Sequence, residues 1–102
     1  MVEKLSVTIL GCGSSGGVPR IDGDWGDCDP SEIKNLRSRC SLLVQKFNTK
    51  NEVTTVLIDT SPDIRNQLLK ANVSSMDAVL YTHDHADQCG GIDDLRVFAL
   101  RK

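Results

Sequence analysis

Both histidines of the chain, His83 and His85, stand two residues apart, directly after the apolar run Ala78-Val-Leu-Tyr81. They sit in the segment Thr82-His83-Asp84-His85-Ala86-Asp87-Gln88. Extended backbone turns residues i and i+2 to the same side, so the two imidazoles can aim at one point. On a helix the pair would diverge by about 200°. The segment lies where an apolar strand gives way to a helix, and strand ends in layered α/β proteins are where ligand crevices open. Imidazole and carboxylate together suit zinc, iron or manganese. A surface turn with two solvated histidines fits a lone His-x-His better than this segment, which adds Asp84 and Asp87.

The rest of the chain supplies a frame for that segment. Leu5 to Leu10 reads as a strand closed by the glycine-rich run Gly11 to Gly17, and residues 18–40 hold the turn formers of a long loop. Ser41 to Phe47 and Val53 to Asp59 read as strands joined by the turn Asn48-Thr-Lys-Asn51, which makes a hairpin. Ser61-Pro62-Asp63 is a helix start. Ser61 can cap free N–H groups, Pro62 fits the first turn, and Asp63 favours the positive end of the dipole. That helix is expected to run to Ala71, with Ile64, Leu68 and Ala71 on one stripe. Asp77 to Thr82 is expected as a strand buried on both faces. Gly91 to Leu100 is expected as a closing helix with Ile92, Leu95, Phe98 and Ala99 inward. The order β, long loop, β, β, α, β, α predicts an α/β layered domain over residues 1–102.

Several functions are excluded by composition and context. With 12 basic against 14 acidic side chains, the net charge of −2 argues against a protein built to grip nucleic-acid backbone. Only 4% of residues are aromatic, too few for a base-stacking platform. No apolar run approaches the roughly 18 residues of a membrane helix, and no export signal stands at the start, so a cytoplasmic location is expected. Cys12, Cys28, Cys40 and Cys89 include no C-x-x-C pair and are expected reduced. Gly11-Cys-Gly-Ser-Ser-Gly16 matches the dinucleotide pattern G-x-G-x-x-G, but Pro19, Gly23 and Gly26 leave no helix behind it. The glycines instead let the backbone pass close to the histidine loop. The basic cluster Lys34-Asn-Leu-Arg-Ser-Arg39 can grip a phosphate or lie solvated in the loop.

Thr-His-Asp-His-Ala-Asp at 82–87 resembles the His-x-His-x-Asp-His signature of the metallo-β-lactamase-fold hydrolases. The stretches at 9–20, 23–30, 39–44, 57–63 and 81–96 are similar to the phosphoribosyl cyclic phosphate phosphodiesterase group, a relative of the tRNA-processing ribonuclease Z. The resemblance implies the N-terminal half of an αββα sandwich that hydrolyses phosphodiesters with one or two divalent ions, zinc or manganese. It implies His83 and His85 as ligands of one metal, and Asp87 with the next residue as ligands of a second. That next residue is Gln88 where the signature has histidine, a neutral oxygen ligand suited to a harder ion such as manganese. Asp59 matches the aspartate that steadies the signature loop from behind. Asp84 is the candidate catalytic side chain, for proton handling or for support of the ligands.

The second half of such a sandwich carries further ligands, and none has a counterpart after Gln88. A half-sandwich would leave one sheet face without its covering sheet, so a dimer or a missing C-terminal half is expected as partner. The expected substrate is a small phosphodiester, such as a cyclic ribose phosphate or a cyclic nucleotide. The rival expectation is a truncated, non-catalytic metal-binding remnant.

Overall fold

The computed structural model describes residues 2–100. Four strands form one sheet in the order β1 (Lys4–Gly11), β2 (Ser41–Phe47), β3 (Val53–Ile58) and β4 (Ala78–Leu80). β1 pairs antiparallel with β2 and β2 with β3, and β2 and β3 form a hairpin whose register pairs Leu43 with Leu57. β4 lies parallel to β3, which requires a crossover. The helix α1 (Ile64–Lys70) supplies it. Two short helices follow, α2 (Ala86–Cys89) and α3 (Arg96–Leu100), with a 3₁₀ turn at Ile92–Leu95 between them.

The register sorts the side chains onto two faces of different fate. Leu43 and Leu57 point toward α1 and meet Ile64, Leu68 and Met76, and all five are buried. Leu10, Val73, Val79, Leu95 and Phe98 pack around them. The opposite face carries Leu5, Val7 and Ile9 from β1, paired across the register with Lys46, Val44 and Leu42. It continues through Val56 and Ile58 to Ala78 and Leu80. Here Leu5 is 68%, Val7 58%, Ile9 69% and Leu80 56% exposed, so an apolar sheet surface faces water. The accessible surface of 7212 Å² exceeds the roughly 5,700 Å² usual for a folded chain of this size. The radius of gyration, 15.2 Å, likewise exceeds the roughly 13 Å expected.

Two expectations of the secondary structure need correction. β4 is three residues long, and only Val79 turns inward, because nothing covers the face on which Ala78 and Leu80 lie. The closing helix is broken, and Ile92 and Ala99 are exposed while Leu95 and Phe98 alone face the core. The stretch winds as a 3₁₀ turn over Ile92–Leu95 and becomes α-helical only from Arg96; just before it, the Gly91 N–H bonds to the Thr60 carbonyl, and a side chain there would run into the Ser61 carbonyl oxygen. At the start of α1, Ser61 caps as expected: its hydroxyl accepts the Asp63 N–H at 3.2 Å.

The Asp63 carboxylate turns back to the long loop. It accepts from the Arg39 backbone N–H (2.9 Å), Nε (3.0 Å) and Nη2 (2.9 Å), a bidentate clamp between α1 and the strand entering β2. Gln67 adds to it by donating to the Ser38 hydroxyl and the Arg39 carbonyl while accepting from Ser61. The glycine run packs against this segment rather than the histidine loop: Gly13 donates to the Ser38 carbonyl, and a side chain at Gly11 would strike the Arg39 carbonyl.

Hydrogen bonds from Arg39 hold the Asp63 carboxyl below its ordinary value of 3.8, against the opposing effect of partial burial. Folding stability from this group is therefore complete above that value and is lost as pH falls through the lower folded one. Asp63→Asn should cost about 1–2 kcal/mol at pH 7, and the gap to the parent should shrink at strongly acidic pH, as read by urea denaturation at both. The open face predicts self-association: sedimentation should show species larger than a monomer, and Val7→Asp should shift them toward the monomer while the circular dichroism is kept.

Candidate metal centre

The site begins where β3 ends. Asp59 has φ 67°, left-handed backbone that a branched or bulky residue would resist and that aspartate tolerates. Its N–H bonds to the Leu80 carbonyl (2.9 Å), extending the β3–β4 pairing by one residue, and its own carbonyl accepts from the Ser41 hydroxyl (2.7 Å). With the backbone fixed, the buried carboxylate reaches across to the end of β4. Oδ1 accepts from the Thr82 N–H (2.9 Å) and Oδ2 from the Thr82 hydroxyl (2.8 Å). The segment carrying the histidines is thus fastened to the sheet at its first residue.

The chain bends at Thr82 and leaves regular structure until α2, before which His85 is extended with φ −66° and ψ 154°. The two imidazoles come together edge to face, with ring centroids 4.5 Å apart and planes at 77°, and both are open to solvent. The His85 carbonyl accepts the N–H groups of Gln88 and Cys89, which turns the chain into α2. The Thr82 hydroxyl also lies 2.9 Å from His83 Nδ1.

Asp87 and Gln88 form a second pair. Gln88 is 5% exposed, and its Nε2 donates to Asp87 Oδ2 at 2.8 Å and to the Cys40 sulfur at 3.4 Å. The carboxylate takes only donors, which sets the orientation of the amide. Gln88 Oε1 is then a buried oxygen with no partner among the described residues, an arrangement that costs roughly 1–3 kcal/mol unless a donor or cation meets it. Asp84 is exposed, and its backbone carbonyl accepts from the Cys89 thiol at 3.5 Å.

The structure therefore brings His83 to His85 and Asp87 to Gln88, but among the described residues no three His, Cys, Asp or Glu side chains converge on one point. As a donor set the two imidazoles fit a borderline ion such as zinc, and the orphaned amide oxygen beside a carboxylate fits a harder one. Within the basic cluster Arg39 is clamped by Asp63, whereas Arg37 is exposed and its Nη1 donates to the carbonyls of Lys34 and Leu36. A cavity of about 620 Å³ lies between β1, residues 36–38 and α1, and none of the four candidate ligands lines it. Thr82, Cys40 and the Arg39–Asp63 clamp were not singled out as site residues by sequence. A threonine directly preceding the histidine was the signal available for Thr82, whereas Cys40 stands 48 residues from Gln88 with nothing local to mark it.

Residues 54–102 match the model of the beta-lactamase superfamily domain. The chain is 40% identical to a crystal structure of a diphosphatase from the PhnP family, with a TM-score of 0.79, covering 93% of this chain and 36% of that one. It is 25% identical to Zn(2+)-bound PqqB from Methylobacterium extorquens, with a TM-score of 0.66, covering 91% and 36%. It is also 44% identical over 88 residues to an octanoyltransferase of Porphyromonas gingivalis, covering 86% of this chain and 17% of that protein. The chain thus spans about a third of the two solved structures and under a fifth of the third relative. The four-stranded sheet with its crossover helix matches the N-terminal part of the metallo-β-lactamase fold of the PhnP-family neighbour, and the second half of the chain matches the beta-lactamase superfamily domain.

Proposed function

We propose that this chain carries the metal-binding loop of a divalent-metal-dependent hydrolase acting on small phosphodiesters. The observation that carries the reading is the pair of exposed imidazoles, centroids 4.5 Å apart, held at the end of a parallel strand pair by a buried carboxylate. Likeness to a PhnP-family diphosphatase supports a phosphate ester as substrate, and likeness to Zn(2+)-bound PqqB supports zinc. His83 and His85 would hold one ion, and Asp87 with Gln88 Oε1 a second, harder one such as manganese. Bound there, a divalent ion supplies a nucleophilic water near neutral pH and neutralises charge on the phosphoryl oxygens.

The protein's own part is to orient and to move protons. Asp59 and Thr82 hold His83 in place, and Gln88 holds Asp87. Asp84, exposed between the two histidines, would take or return a proton at the substrate or support the ligands. The open apolar face would be covered by a further part of the same fold or by a second copy of the chain. A cytosolic setting goes with this reading, since all four cysteines carry free thiols. Among the described residues no helix is long and apolar enough to cross a membrane. The second reading, a metal-binding remnant without turnover, draws on the absence of three converging ligands among the described residues.

Calorimetric titration with Zn²⁺ and Mn²⁺, followed by an assay on a chromogenic phosphodiester, tests both readings. The parent should bind Zn²⁺, and His83→Ala with His85→Ala should weaken it at least about 100-fold, as loss of ligands predicts. Turnover by the loaded chain supports the hydrolase; binding without turnover supports the remnant; no binding by the parent removes both.

A further inference from the structure

Asp59, Thr82 and His83 are joined in a chain of hydrogen bonds whose direction can be worked out atom by atom. A threonine hydroxyl has one proton to give and two lone pairs. Asp59 Oδ2, 2.8 Å away, is a carboxylate oxygen and takes that proton's hydrogen bond. The other oxygen, Oδ1, is already filled by the Thr82 N–H, so the carboxylate is held with one oxygen aimed at the hydroxyl. Toward His83 Nδ1, 2.9 Å away, the hydroxyl then has only a lone pair to offer. The hydrogen bond forms only if Nδ1 carries a proton. A neutral imidazole protonated on Nδ1 presents a bare lone pair on Nε2, the atom on the far side of the ring.

The relay is costly to build. Asp59 occupies left-handed backbone, a conformation that persists in a non-glycine residue only where the surroundings impose it. Here they do: its N–H is taken by the Leu80 carbonyl, its C=O by the Ser41 hydroxyl, and its carboxylate is 6% exposed along with the rest of the residue. A buried, strained carboxylate spends both oxygens on one threonine, and that threonine's remaining contact is the ring of the adjacent histidine. A merely structural anchor for the loop would need only the bond to the Thr82 N–H.

We propose that Thr82 is a positioning residue: it passes the polarity of Asp59 to His83, fixes the Nδ1–H tautomer, and so presents Nε2 as a ready lone pair to a divalent cation beside His85. The inference rests on the metal-binding reading above for its purpose, but the tautomer is a property of the chain free of metal and is tested there. Long-range ¹H–¹⁵N correlation spectra of the metal-free full chain, at a pH where imidazole is neutral, report which ring nitrogen of His83 holds the proton. The parent should show Nδ1–H. Thr82→Val keeps the shape and the backbone N–H to Asp59 but removes the hydroxyl. It should release His83 toward the Nε2–H form that free imidazole prefers and weaken Co²⁺ binding about 10–100-fold. Thr82→Ser should restore both. An Nε2–H tautomer in the parent overturns the proposal. So does an Nδ1–H tautomer that persists in Thr82→Val. Should the parent show Nδ1–H and its predicted loss in Thr82→Val while binding no Co²⁺, the relay stands and the metal-binding reading falls.

Discussion

The fold and the site meet at one buried carboxylate. Asp59 ends β3 in left-handed backbone, extends the pairing with β4, and spends both side-chain oxygens on Thr82. Without it the loop that carries His83 and His85 would hang from a three-residue edge strand. The elements beneath the loop serve that anchor. Ser41 at the start of β2 holds the Asp59 carbonyl, and Thr60 and Gly91 tie the following turn to the segment around α2. The energetic logic is that of a small core, five buried apolar residues, supplemented by a buried polar network whose members are nearly all paired.

A second clamp ties down the long loop. The loop of residues 12–40 is long and polar, and it makes local turns through Asp22, Asp24 and Asp29. It is returned to the sheet by the Arg39–Asp63 pair and by Gln67. The same clamp makes Arg39 unavailable to a substrate. A sheet with one covered face and one apolar open face is the pattern of half a layered fold. The chain correspondingly spans 36% of each of the two solved relatives.

Much of this frame was legible in the sequence, for identifiable reasons. β2 at Ser41–Phe47 and the hairpin to β3 stand out as β-rich runs around the polar turn at 48–51. The His-x-His spacing, read as extended backbone, implied that both rings share a side, and the rings stand 4.5 Å apart. What escaped depends on contacts that sequence patterns do not carry. Ala78 and Leu80 read as core because they are apolar, yet burial is a property of what lies opposite them, and the sheet face there is open. α2 is four residues long, too short for any helical period to show. Asp63 reads as a helix-end charge by local rules, but its partner, Arg39, lies 24 residues earlier, and the charge-assisted bonds outweigh the dipole. The pairing of Gln88 with Asp87 and Cys40 was equally out of reach.

Joint binding of a divalent ion by His83 and His85 is the proposal on which the functional reading turns. X-ray absorption at the zinc edge of the Zn²⁺-loaded chain tests it directly. The account predicts two imidazole nitrogens at about 2.0–2.1 Å, lost together in the double alanine variant. A shell dominated by sulfur at about 2.3 Å, or one unchanged by removing both histidines, would contradict it and move the ion to the cysteines.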